Sequence, residues 1–167
     1  MKIAHIEAQC LPVAMRREFH ISYGSINQLE NVFVKLVSDT GITGFGEASA
    51  IGFISGDTNE SVIGAIRLFQ KELIGLEMEP VLIHAAMDRT LYANFAAKAA
   101  MDMAVYDCLS KTAGLPLYRY LGARQNCLQS DVTLGIDTLE NSLAEAKRYA
   151  EKGFRAFKLK ANHDTAH

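Results

Sequence analysis

Residues 128–160 run strand, helix, strand with short links, and that order restricts the fold more than any other feature of the chain. Over 128–135, Val132 and Leu134 fall on one face and Asp131 and Thr133 on the other. Residues 138–152 carry a helical pattern, capped by Asp137 or Thr138 and stopped by Gly153. The stretch 154–160 is apolar or aromatic at most positions and lacks proline and glycine. A βαβ unit with links this short requires parallel strands and a right-handed crossover. Two parallel strands do not stand alone, because both faces need cover. This piece therefore reads as the opening of something longer.

Side chains alternate across a strand, so Lys158 and Lys160 share a face with Ala156, while Phe157 and Leu159 take the face a helix would cover. Two ammonium groups roughly 6–7 Å apart along a strand repel each other. If that face looks into an enclosed site, desolvation disfavours both charges as well. Repulsion and desolvation both lower a lysine pKa, and a lysine neutral near pH 7 is a usable general base. On a wet strand end the same spacing has no special chemistry.

The preceding residues form a different pattern. Residues 2–15 alternate as a strand, with Pro12 at an edge or an end. Residues 16–27 break the alternation and read as a long loop, carrying Phe19, Ile21, Tyr23 and Ile26. It is either a flap over a ligand or a loop packed on its own sheet. Residues 29–37 and 42–48 read as a hairpin turned by Ser38, Asp39, Thr40 and Gly41. Gly41, Gly44 and Gly46 lack the order and the following helix of a nucleotide fingerprint. Residues 49–56, with Ile51 and Phe53, read as a second apolar loop.

Helices come next. The first is capped by Asp57 or Thr58, with Glu60 placed for a capping box on Asp57. Its apolar face is Val62, Ile63, Ile66, Leu68, Phe69 and Leu73, and Gly75 ends it. Pro80 opens a second helix, expected to reach about Asn94. Asn94 then caps a third over 95–113, rich in alanine and stopped by Gly114. Small residues at helical spacing let another element approach, so this helix is expected to be buried on more than one side. Asp102 and Asp107 lie on it, five positions apart and so on different faces. They are expected to be structural, hydrogen-bonded to loop backbone. Residues 116–121 make a short helical turn closed by Gly122.

At 167 residues and 49% hydrophobic content the chain can bury a core. A net charge of −2 with scattered cations gives no nucleic-acid surface. No apolar run reaches membrane-spanning length, and the polar N-terminus does not read as a signal peptide. Three cysteines, Cys10, Cys108 and Cys127, lack metal or redox spacing, so a cytoplasmic location is expected. His163 and His167 are four apart, but at a chain end they are expected to be disordered, with at most adventitious metal binding.

Several strings, in order and at fitting spacings, carry a resemblance. They are Glu30-Asn31-Val32-Phe33-Val34, Gly44-Phe45-Gly46-Glu47-Ala48 and Gly56-Asp57-Thr58. Further on come Ala99-Ala100-Met101-Asp102-Met103-Ala104-Val105-Tyr106-Asp107 and Gly114-Leu115-Pro116-Leu117-Tyr118. Leu121-Gly122, Thr133-Leu134-Gly135-Ile136 and Gly153-Phe154 leading to Lys158-Leu159-Lys160 complete the set. Together they resemble the enolase superfamily in its muconate-lactonizing branch (mandelate racemase/muconate cycloisomerase), most closely the dipeptide epimerases.

The resemblance implies an α+β capping domain over 1–125, a three-stranded antiparallel meander plus helices. The first β-α-β of a TIM-type (β/α) barrel would come after it, over 126–167, incomplete in this chain. It implies a metal-assisted epimerase or isomerase that abstracts the proton α to a carboxylate through an enediolate, with a dipeptide as the small-molecule substrate. Lys160 would be one acid/base. Lys158 would neutralise the enediolate and lower the pKa of Lys160. Phe19 and Tyr23 of one flap, Ile51 and Phe53 of the other, and Thr133 would contact substrate. Magnesium is the implied metal, with no ligand for it in this chain; its carboxylates and the opposing lysine sit on later strands in the family. Two strings depart from the pattern: Ala161-Asn162 stands where Val-Gly is usual, and Leu121-Gly122-Ala123 where Leu-Gly-Gly is. Some epimerases of Ala-Glu dipeptides carry a first-flap arginine; Gly24 takes that place here, and apolar flaps suit a hydrophobic side chain.

A full barrel needs about 250 residues. The expectation is thus a truncation, a proteolytic product or half of a split enzyme, inactive until a complementing chain supplies the missing barrel. A homo-oligomer is expected, with no nucleic acid or membrane partner. The alternatives are an enzyme like muconate cycloisomerase or o-succinylbenzoate synthase, or a non-catalytic capping-domain fragment.

Overall fold

The computed structural model describes residues 1–21 and 24–160. They divide into two compact units. The first holds residues 1–13 and 30–124, the second 14–29 together with the chain from 125.

The sheet is built from β1 (Ile3–Ile21), β2 (Gly24–Ser38) and β3 (Thr43–Ala48), in that order. β1 and β2 lie two residues apart in sequence, which only an antiparallel pair allows. β2 and β3 pair antiparallel, Val32 opposite Ala48 and Leu36 opposite Gly44. Residues 16–27 are expected from sequence to be a loop; instead the described part continues both strands of a long hairpin. The alternation fails there because backbone bonds hold a hairpin arm whatever its side-chain order, and only a buried face imposes a period of two. The turn after β2 is as expected, with Gly41 at φ 83 and Ser38 Oγ accepting from Ile42 N–H at 3.0 Å.

The apolar stretch after β3 is not all loop, because α1 (Gly52–Ser55) forms a single helical turn ended by Gly56. Then come α2 (Asn59–Leu73), α3 (Pro80–Thr90), α4 (Phe95–Thr112) and α5 (Leu117–Tyr120). Thr58, not Asp57, caps α2. It forms a capping box with Ser61, so Glu60 is not the reciprocal partner. On α2 the buried positions are Val62, Ala65, Ile66, Phe69 and Leu73, which leaves Leu68 exposed. α3 stops at Thr90, four residues before Asn94. Asn94 does stand at the N-cap of α4, but in the left-handed region and with its amide bonded back to Tyr92, so it gives the helix no side-chain cap.

The core of the first unit joins Ile6, Val32, Val34 and Leu36 from the sheet to Ile66 and Phe69 of α2 and Met101 and Val105 of α4. α4 lies directly on β3. A Cβ at Gly44 would collide with the carbonyl oxygen of Ala104, and one at Gly46 with that of Ala100. The Gly-x-Gly spacing and the alanines of α4 are thus two sides of one close approach of backbones. Asp107 bonds backbone, but of strand β3 rather than of a loop, accepting from Phe45 N–H at 2.9 Å and from Lys111 Nζ at 2.6 Å. Asp102 does not; it pairs with His84 on α3 at 2.5 Å.

The second unit contains β4 (Val132–Leu134), α6 (Leu139–Glu151) and β5 (Phe157–Leu159). β4 and β5 are parallel, with Val132, Thr133 and Leu134 opposite Phe157, Lys158 and Leu159. Both strands are shorter than expected. Thr138 caps α6 by accepting from Asn141 N–H at 3.3 Å, and Gly153 at φ 98 stands just past its end. Among the described residues no helix is long and apolar enough to cross a membrane. The histidines at 163 and 167 lie outside the described residues.

Candidate active site

Because β4 and β5 are parallel, their C-terminal ends point the same way, and the residues just past each strand gather at one end of the unit. After β4 come Gly135, Ile136 and Asp137; after β5 comes Lys160, whose N–H donates to the Leu134 carbonyl at 3.1 Å. Thr133 stands opposite Lys158 across the pair, and alternation turns Lys160 to that same face. The backbone thus brings together three residues singled out in the sequence: Thr133, Lys158 and Lys160. In (β/α) barrels the C-terminal end of the strands is the face that carries chemistry.

A cavity of about 510 Å³ opens at this end. Ala14, Met15, Arg16 and Glu18 of the hairpin arm line one side. Thr133, Gly135, Ile136 and Asp137 line another, and Glu145 and Tyr149 of α6 a third. Each is placed by local structure. Asp137 Oδ1 accepts from Thr138 N–H at 2.7 Å and from Asn141 Nδ2 at 2.8 Å, fixing it at the start of α6. Tyr149 packs edge-on against Phe154, with ring centres 5.5 Å apart, under the Arg148 guanidinium. Glu145 accepts from Arg148 at 3.3 Å.

Of the expected substrate contacts whose side chains are described, Thr133 lines this cavity and Ile51 and Phe53 do not. Phe19 lies in β1, and Tyr23 falls outside the described residues. Ile51 and Phe53 belong to the first unit; Ile51 is half-buried and Phe53 is 61% exposed on α1. Neither lysine lines the cavity, and both are exposed. The enclosure invoked for the lysine pair is therefore not built by the described residues, because β5 has a neighbouring strand on one side only. The polar lining residues Arg16, Glu18, Asp137, Glu145 and Tyr149 are not among the site residues expected from sequence. Arg16 belongs to the segment expected to be a flap, where the apolar residues carry the signal. Nothing local marks the two α6 residues, since only the fold turns that side of the helix to the cavity.

Among the described residues no group of three or more His, Cys, Asp or Glu is arranged to hold a metal ion. The described residues thus do not fit a magnesium site, and no step is derived through one.

An antiparallel three-stranded sheet backed by helices, leading into a βαβ unit that ends in Lys-x-Lys, defines the cap and barrel opening of an enolase-type protein. The chain belongs to the mandelate racemase/muconate lactonizing enzyme family, whose N-terminal-domain model matches residues 5–122. It is 33% identical to the L-Ala-D/L-Glu epimerase of Clostridium acetobutylicum, over 90% of this chain and 42% of that protein. It is 34% identical to the hydrophobic dipeptide epimerase of Enterococcus faecalis, over 96% of this chain and 46% of that one. The crystal structure of the Enterococcus faecalis V583 dipeptide epimerase, complexed with Mg and the dipeptide L-Leu-L-Tyr, superposes with a TM-score of 0.93 at 33% identity. That match covers 97% of this chain and 46% of the other. The chain thus spans a little under half the length of the relatives it matches.

Proposed function

We propose that this chain forms the cap and the first β-α-β of a dipeptide epimerase that exchanges the proton α to a carboxylate, with residues 1–125 as cap and 126–167 as barrel. The observation that carries the reading is Lys158 in β5 and Lys160 just past its end, on one side of the chain by alternation, with Thr133 opposite Lys158, at the strand ends where a barrel builds its site. In this reading Lys160 Nζ exchanges the proton on one face of the α carbon, the opposing lysine exchanges it on the other face, and the Lys158 ammonium offsets the enediolate charge. Thr133 holds the substrate carboxylate. Phe19, Tyr23, Ile51 and Phe53 enclose an apolar side chain, which favours a hydrophobic dipeptide. The magnesium and dipeptide bound by the Enterococcus epimerase support the same chemistry. Here the metal's carboxylates and the opposing lysine would come from polypeptide beyond the residues described. Three free cysteines suit a reducing cytoplasm.

Exposure of both lysines favours one second reading, a cap without catalysis of its own. The experiment is α-deuterium exchange into hydrophobic dipeptides in D₂O with magnesium, measured by NMR. It compares the chain alone with the chain co-expressed with the C-terminal portion of the Enterococcus epimerase. The complemented protein is expected to exchange, and Lys160→Ala to reduce the rate by about 10²–10⁴-fold. Exchange that survives Lys160→Ala in both epimers of the substrate defeats the lysine assignment. No exchange in either preparation leaves the non-catalytic cap.

A further inference from the structure

The walls of the cavity in the second unit differ in how their charges are used. On the α6 side, Asp137 accepts from Thr138 N–H and Asn141 Nδ2, and Glu145 accepts from Arg148. On the hairpin-arm side the charges are unpaired. Among the described residues, neither Arg16 nor Glu18 makes an ion pair or a hydrogen bond, and both are exposed. A guanidinium and a carboxylate therefore border the same void with nothing of this chain to bind.

Their spacing is set by the strand. Arg16 and Glu18 are alternate residues of β1, so they project from one face of it, roughly 6–7 Å apart along the chain. A ligand that pairs both must carry an anion and a cation at about that separation. Two extended peptide residues span at most about 7 Å, one about half of that, and three about 10 Å. The ammonium and the carboxylate of an unblocked dipeptide thus match the pair. An N-acylated amino acid does not, because it sets a neutral acyl oxygen against the Glu18 carboxylate. The volume, about 510 Å³, lies in the range of about 300–1,000 Å³ usual for small-molecule sites, and Ala14, Met15 and Ile136 give it apolar wall for the ligand's side chains.

We propose that this cavity binds an unblocked dipeptide by its two ends, Arg16 taking the carboxylate and Glu18 the ammonium. The inference rests on the dipeptide reading for its choice of ligand, and deepens it by naming the free peptide, rather than an N-acylated amino acid, as the class bound. It uses neither lysine and no metal.

The test is isothermal titration of the full chain with L-alanyl-L-alanine, with EDTA present. Saturable binding is expected. Acetylating the amine or amidating the carboxylate is each expected to weaken it about tenfold or more, since each removes one charge-assisted bond. Free alanine and trialanine are expected to bind more weakly than the dipeptide. Glu18→Gln is expected to bind the free and the acetylated dipeptide alike, and Arg16→Met the free and the amidated one. Neither side chain has an internal partner to lose, so circular dichroism and melting temperature are expected to stay unchanged. Absence of saturable binding overturns the proposal. So does binding indifferent to either block, and so do variants that keep the wild-type discrimination. Because the readout is binding without metal, a failure of α-deuterium exchange in the complemented protein does not alter it, and the two readings fail separately.

Discussion

The two units use their apolar residues in opposite ways. In the first, strands and helices converge on one core, and Phe69, Ile66, Leu36 and Val105 are fully buried. In the second, Leu134 alone is among the buried core residues described. Leu159 of β5 is 69% exposed and Leu139 of α6 is 59% exposed. The residue types are the same; the sheets differ. An antiparallel meander needs cover on one face only, and the first unit's helices supply it. A parallel pair needs cover on both faces. The first unit holds its own core, whereas among the described residues the second leaves Leu159 and Leu139 exposed.

That contrast can be broken by substitution. Phe69→Ala is expected to cost about 3–5 kcal/mol in urea unfolding of the first unit, because a fully buried ring leaves a cavity that close-packed helices do not fill. Gly46→Ala is expected to cost about 1–3 kcal/mol or more, since the new methyl meets the Ala100 carbonyl, a backbone atom that cannot turn aside. If Gly46→Ala were silent, α4 would not lie on β3 as described. Leu159→Ser in the chain by itself is expected to change stability by less than about 0.5 kcal/mol. A loss as large as that of Phe69→Ala would show that the second unit is already closed.

The smallest effect sharpens the comparison on the charged surface of the first unit. A hydrogen bond from Lys98, and then its charge, hold the Asp88 carboxyl below the usual carboxylate range. A lowered carboxylate pKa adds stability above its unfolded value and loses it as pH falls through the folded one. Lys98→Met is therefore expected to return Asp88 to ordinary titration by NMR and to remove that acid-side dependence. An unchanged titration would mean that the pair at 2.7 Å does not persist in solution.

Much of the first unit was legible because its signals are local. Pro80 at the start of α3, Gly41 in the hairpin turn and Gly75 after α2 each satisfy a backbone requirement that one residue type meets best. The cap of α2 shows the limit. Asp57 and Thr58 are both good caps, and the contest is decided by which side chain finds a reciprocal partner, here Ser61. The Asp102–His84 pair was illegible for a related reason: eighteen residues separate the two, and only the packing of α3 on α4 joins them. The described part of 16–27 misled because the apolar content of that stretch resembles a closed-over loop, while extended pairing with a neighbouring arm leaves no periodic trace.

By itself the sequence determined the order of elements, the Lys-x-Lys spacing on β5 and the small residues at which β3 and α4 meet. These come from alternation, capping and size, which act over a few residues. Only the tertiary structure decided that Thr133 stands across from Lys158, that Arg16 and Tyr149 share a cavity, and that both lysines stand in solvent. Burial is a property of what lies across space from a residue, and a chain carries that information only in how its distant parts meet.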